Sequence, residues 1–126
     1  MTKLPPFELG HPRTELRRQL VAAVLAGDKT ATAGLWSEYE AEGQQLDAAG
    51  TRYVLHDYDE QPVAVVEVTE ARLVRTADVD LDFARDEGEG FESVDDWRVA
   101  HEQFFEQPLE PDTKIVAVRF RVVERL

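Results

Sequence analysis

The chain has no cysteine among its 126 residues, so neither a disulfide nor a thiolate metal site is open to it. Positive charge is also scarce. Fourteen Lys and Arg stand against 26 Asp and Glu, a formal net charge of −12. A body this acidic repels a polyanion, which argues against extended duplex DNA as a partner. No run of about 18 apolar residues occurs, so no membrane-spanning helix is expected. The start Met1-Thr2-Lys3-Leu4-Pro5-Pro6 lacks the apolar stretch of a secretion signal. Together these absences predict a cytoplasmic protein. There are three histidines, and His11 and His56 stand in no zinc-binding spacing. His-Glu-x-x-His, Gly-x-Ser-x-Gly, the phosphate-binding P-loop and the dinucleotide fingerprint are all missing. Internal repeats and low-complexity segments are missing too.

What is present suffices for one domain over residues 1–126, since 43% of the residues are hydrophobic. Charge is unevenly spread. Residues 1–36 hold five Lys and Arg against three acids, whereas residues 37–126 hold nine against 23. A nucleoside, a nucleotide or a short single strand at a locally basic cleft fits this distribution better than a long nucleic acid.

Residues 1–12 carry three prolines and predict an extended arm. Leu16, Leu20, Val21, Val24 and Leu25 recur at helical spacing and predict a helix over 14–26, closed by Gly27. Residues 28–50 are mixed. Thr51–Tyr58 and Pro62–Val74 read as strands around a polar turn. A short helix is expected near Leu81–Arg85. Ser93 is a candidate N-cap for a helix running to about Glu106. Its inner face would carry Val94, Trp97, Ala100, His101, Phe104 and Phe105. Val116, Val118, Phe120 and Val122 alternate with smaller or charged residues, as in a half-buried strand. Helices and strands in this order, with no βαβ alternation, predict an α+β fold on a small, curved, mostly antiparallel sheet with flanking helices.

Two segments stand out chemically. Gly27-Asp28-Lys29-Thr30-Ala31-Thr32 sets a lysine and two hydroxyls just past a helix end. Ala84-Arg85-Asp86-Glu87-Gly88-Glu89-Gly90 sets carboxylates among glycines, which lets backbone approach a ligand closely. Lysine, threonine and glutamate can supply a cation, a nucleophile and a proton carrier without any cofactor. The plainer reading is that the threonines bond loop backbone and the lysine is solvated. Asp86, Glu87 and Glu89 are oxygen donors suited to a hard divalent ion, but they lack the spacing of a calcium loop. Trp97 and His101 share a helix face. Arg98 sits beside them, four residues before its expected partner Glu102.

The combination resembles a known family. Gly27-Asp28-Lys29-Thr30-Ala31-Thr32 is similar to the G-x-K-T-x-T signature of the ASCH domain family. The resemblance runs from about Thr14 to Val123, through Trp36-Ser37-Glu38-Tyr39, Glu87-Gly88-Glu89-Gly90 and Trp97-Arg98-Val99-Ala100-His101. It implies a PUA-like β-barrel and a function directed at RNA or nucleosides. Some members resemble amidohydrolases that deacylate N4-acetylcytidine with a lysine, a threonine and a glutamate; those roles fall on Lys29, Thr32 and Glu87. Others are described as metal-dependent ribonucleases, for which Tyr39 and Lys29 would matter and Mn²⁺ or Mg²⁺ would be needed. The amidohydrolase expectation needs no cofactor. Thr30, Tyr39, Trp97, Arg98 and His101 are expected to line or brace the same cleft. A non-catalytic RNA- or nucleotide-binding module is the remaining alternative.

Overall fold

The computed structural model describes residues 4–126. Helix α1 (Glu15–Ala26) opens where the Thr14 hydroxyl accepts from the Arg17 amide, and it closes at Gly27, whose φ of 85° is the left-handed position predicted for it. Strand β1 (Ala31–Leu35) follows and runs directly into a short helix, α2 (Trp36–Ala41). Strands β2 (Arg52–His56) and β3 (Pro62–Arg75) form the predicted hairpin. A 3₁₀ turn at Thr76–Asp78 leads to α3 (Leu81–Asp86). Helix α4 (Val94–Phe105) is capped by Ser93, whose hydroxyl accepts from the Asp96 amide at 3.0 Å. Strand β4 (Lys114–Arg125) ends the fold.

The four strands make one antiparallel sheet in the order β1-β4-β3-β2. Register shifts between Val65 and Val66 and between Val68 and Glu70 interrupt the β3–β4 ladder. Such bulges bend a strand and raise its twist. The sheet is a curled half-barrel with helices packed on it, the small curved antiparallel sheet that was expected. The β4 stripe Val116, Val118, Phe120 lies on one face and is buried. There it meets Leu20, Val21 and Val24 of α1, with Phe7 and Leu9, and farther along it meets Trp36 and Tyr39. The other face carries α3 and α4: Phe83 and the fully buried Trp97 pack on Ala31, Leu35 and Ile115. Burying each such large side chain contributes roughly 1.5–3 kcal/mol.

Three local expectations change. The extended arm is docked: Phe7 N donates to the Val54 carbonyl, and Phe7 and Leu9 enter the core. Residues 1–3 of that arm lie outside the described residues. The mixed segment 28–50 contains β1 and α2. Ala-Thr-Ala-Gly-Leu has one β-branched residue and two alanines, so its strand character comes from pairing with β4 and not from propensity. Phe104, expected on the inner face of α4, is 40% exposed and stacks on His11 instead.

Candidate functional site

The two chemically rich segments meet. The backbone just past α1 is pinned, with Asp28 N and Lys29 N both donating to the Ala23 carbonyl. Next, Thr30 N donates to the Asp86 carbonyl at 2.7 Å, tying the lysine loop to the end of α3. Gly88 makes the close approach possible. Its φ is +72°, and a Cβ there would stand 2.6 Å from the Asp28 carbonyl oxygen and 2.7 Å from Lys29 N. Arg119 reinforces the junction from β4: its guanidinium donates to Asp86 Oδ2 at 2.6 Å and lies over the Phe83 ring.

At the centre, the Lys29 side chain is 1% exposed. Its Nζ donates to the carbonyls of Ala31 (2.8 Å) and Glu87 (3.1 Å). Phe120 N donates to the Thr30 carbonyl, so Thr30 faces β4 and the Ala31 carbonyl points to the open side of the sheet's edge. Lys29 satisfies that otherwise unpaired acceptor. The same ammonium lies 3.6 Å from Glu87 Oε1 and 3.8 Å from Glu89 Oε2.

Glu87 is as buried as Lys29 and fully engaged. The Trp97 indole Nε1 donates to its Oε2, giving a buried indole the partner it needs. His101 Nε2 lies 3.1 Å from Oε2 and 3.3 Å from Oε1. The other imidazole nitrogen, Nδ1, is 2.7 Å from the Trp97 carbonyl oxygen. A carbonyl only accepts, so Nδ1 carries a proton and Nε2 is the atom turned toward the carboxylates. The imidazole also stacks on the Trp97 ring, 4.2 Å between centroids. Burial alone would push the His101 pKa down. The hydrogen bond and charge of Glu87, helped by the Trp97 carbonyl and Glu89, outweigh it and raise the net value.

Glu89 stands at the rim, its side chain 26% exposed. Partial burial raises its pKa. The negative charge of Glu87 adds to the rise, while Lys29 and His101 oppose it.

The remaining predicted residues are placed as follows. Thr30 is exposed, its hydroxyl 3.5 Å from the Asp86 carbonyl oxygen, in the loop-bonding role of the plainer reading. Thr32 pairs with Val118, whose side chain belongs to the face of Val116 and Tyr39. Its neighbours Ala31 and Ala33 belong to the opposite face, with Trp97. Thr32 and Lys29 are thus not brought into contact. Tyr39 also lies on the Val116 face, packed across Gly34. Burial raises its pKa, with Asp47, Glu42 and Glu38 adding to the rise. Arg98 pairs with Glu102 at 2.7 Å, and Glu102 in turn accepts from Leu109 N, so Arg98 braces the end of α4. Trp97 and His101 are in the cluster. Glu89 was foreseen only as a metal-type donor. Arg119, lost in the alternation of the last strand, was not foreseen; its separation of 33 residues from Asp86 leaves no sequence signal.

The ASCH domain model matches residues 9–124. Among solved structures, protein EF3133 from Enterococcus faecalis V583 is similar at 28% identity and a TM-score of 0.87, over 99% of this chain and 79% of that one. An ASCH domain from Lactobacillus crispatus JV V101 is similar at 28% identity and 0.74, over 84% of this chain and 71% of that one. Hypothetical protein PH0355, at 15% identity and 0.63 over 86% of this chain and 94% of that one, shares the fold. No curated protein matches. With residues 9–124 of 126 covered by one family model, the chain belongs to the ASCH domain family.

Proposed function

We propose that this chain is a hydrolase acting on an amide of a modified nucleoside or nucleotide, of the N4-acetylcytidine type, at the Lys29–Glu87–His101 cluster with Glu89 at its mouth. The observation that carries the reading is the burial of an ammonium, a carboxylate and an imidazole in mutual contact. Buried charge networks of this kind contribute little net stability compared with apolar packing, and they mark functional sites more often than chance. The PUA-like ASCH fold, suggested as RNA-binding, supports a nucleoside-bearing ligand. The −12 charge supports a small one.

In this reading the reacting carboxylate is Glu89. Both oxygens of Glu87 are occupied and out of solvent, so Glu87 holds the site. Glu89 is accessible, and its raised pKa suits a group that takes and returns a proton. Its carboxylate accepts a proton from water as the water oxygen attacks the amide carbonyl carbon. The carbon–nitrogen bond then breaks, and Glu89 returns that proton to the leaving amine. The products are the free amino nucleoside and the carboxylic acid. Lys29 fixes the carboxylate and supplies positive charge behind it. Thr32 stands outside this network, so the nucleophile is assigned to water.

Incubation of the purified protein with N4-acetylcytidine, and separately with a short single-stranded RNA, each in EDTA and in Mn²⁺, tests the reading. Deacetylation in EDTA that is lost in Lys29→Ala is expected. RNA cleavage without deacetylation would replace the reading with a ribonuclease. Saturable binding without turnover would replace it with a binding module.

A further inference from the structure

The ribonuclease alternative implied by the family resemblance raises the question of whether this site fits a divalent ion. The donor set looks suitable at first: one atom each from Glu87, Glu89 and His101, all within 4.8 Å of one another. The Nδ1 proton on the Trp97 carbonyl even turns Nε2 inward as a ligand would be turned. But the space between the carboxylates already holds a cation. Lys29 Nζ lies 3.6 Å from Glu87 Oε1 and 3.8 Å from Glu89 Oε2, on a side chain that is 1% exposed. An ion such as Zn²⁺ would bind the same carboxylate oxygens at about 2.0–2.2 Å and so crowd against the ammonium. Lys29 cannot simply swing away, because two backbone carbonyls hold it and Gly88 packs against its backbone. The residues present therefore do not fit a metal while Lys29 is charged and in place.

We propose that Lys29 is the resident cation of the Glu87–Glu89–His101 site: the native chain takes no divalent ion there, and removing the lysine charge converts the three side chains into a transition-metal site. Lys29→Met keeps most of the aliphatic stem, stops one atom short of the ammonium position and removes the charge. It leaves two carboxylates facing an imidazole without their counter-ion, which is the charge pattern that divalent ions stabilise. The inference concerns what the site holds and stands apart from the hydrolase reading, whose failure would appear as no turnover in any arm of the substrate assay.

The test is Mn²⁺ titration followed by the electron spin resonance of free Mn²⁺, with paramagnetic broadening of the Trp97 indole proton reporting the location. Wild type is expected to take up no ion at this site and to keep a sharp indole signal at several equivalents. Lys29→Met is expected to take up one Mn²⁺ per chain, to broaden the indole, and to lose both effects when His101→Ala is added. If Lys29→Met melts without a cooperative transition in EDTA, Mn²⁺ is expected to restore one. Lys29→Gln, one atom shorter than lysine but with an amide that can donate a hydrogen bond, carries the same arms. One Mn²⁺ bound beside Trp97 in wild type would overturn the proposal. So would the absence of Mn²⁺ binding in both neutral variants.

Discussion

Replacing Gly88 by alanine should damage the site more than any other single methyl group added to the glycine loop. Two effects add. Gly88 has φ of +72°, where a Cβ costs about 1–2 kcal/mol. The new methyl would also stand 2.6–2.7 Å from Asp28 O, Asp28 C and Lys29 N. All three are backbone atoms, held by the bonds from Asp28 N and Lys29 N to the Ala23 carbonyl, so the strain cannot be relieved by a rotamer change. Overpacking of this kind costs about 1–3 kcal/mol. The sum is about 2–5 kcal/mol, a large share of the stability of a domain this size. Gly90→Ala is the internal control, because Gly90 has φ of +81° but nothing within 4 Å of its Cβ. Urea unfolding of the two variants against wild type separates the terms, since only Gly88→Ala carries the clash. A stability loss for Gly88→Ala equal to that of Gly90→Ala would refute the close approach of the two loops.

Further outcomes follow from the same geometry. Glu87→Gln leaves Lys29 and His101 facing a neutral amide in a buried site and is expected to cost about 3–5 kcal/mol in urea melts. His101 has a folded pKa above its ordinary 6.5, so its contribution is fully present below pH 6.5 and is lost as pH rises through the folded value. Stability measured from pH 5.5 to 8.5 should therefore fall more steeply in wild type than in His101→Gln. The Tyr53 hydroxyl donates to Asp47 at 2.7 Å, and burial with that hydrogen bond raises its pKa. Tyr53→Phe should cost about 1.5–3 kcal/mol by thermal melting and leave the His101 imidazole shifts unmoved. Thr32→Ala, on the face opposite Trp97, should likewise leave those shifts unchanged, whereas direct contact with the cluster would move them.

How much of this was legible beforehand depended on whether the signal was local. Helix α1, with its apolar stripe and Gly27 stop, and helix α4, with its Ser93 cap, could be read to within a residue or two because caps and periodicity are short-range. Strand β1 was hidden because its five residues carry little strand propensity and are held by the ladder to β4. Lys29, Glu87, Trp97 and His101 were foreseen as candidates from motif and resemblance. That the lysine loop and the glycine loop share one cleft was expected from their chemistry; how they touch was not legible, since it rests on Gly88 meeting a backbone 60 residues earlier in the chain, at Asp28. The division of labour between Glu87 and Glu89 was equally invisible. The two residues are two apart in one glycine-rich loop, and only the position of the Trp97 indole decides which is sealed and which reaches the rim. The placement of Thr32 on the face opposite Trp97 was not legible either, because its spacing from Lys29 says nothing of strand alternation until β1 is known to be a strand.

The central claim is that chemistry occurs at the mouth of the Lys29–Glu87–His101 cluster, through Glu89. Its most direct test is kcat/KM for N4-acetylcytidine deacetylation in EDTA, wild type against Glu89→Gln, with both proteins giving the same unfolding midpoint. The account predicts measurable turnover by wild type and a loss of at least about 100-fold in the variant. Absence of turnover in wild type, or a Glu89→Gln variant within about twofold of it, would contradict the account.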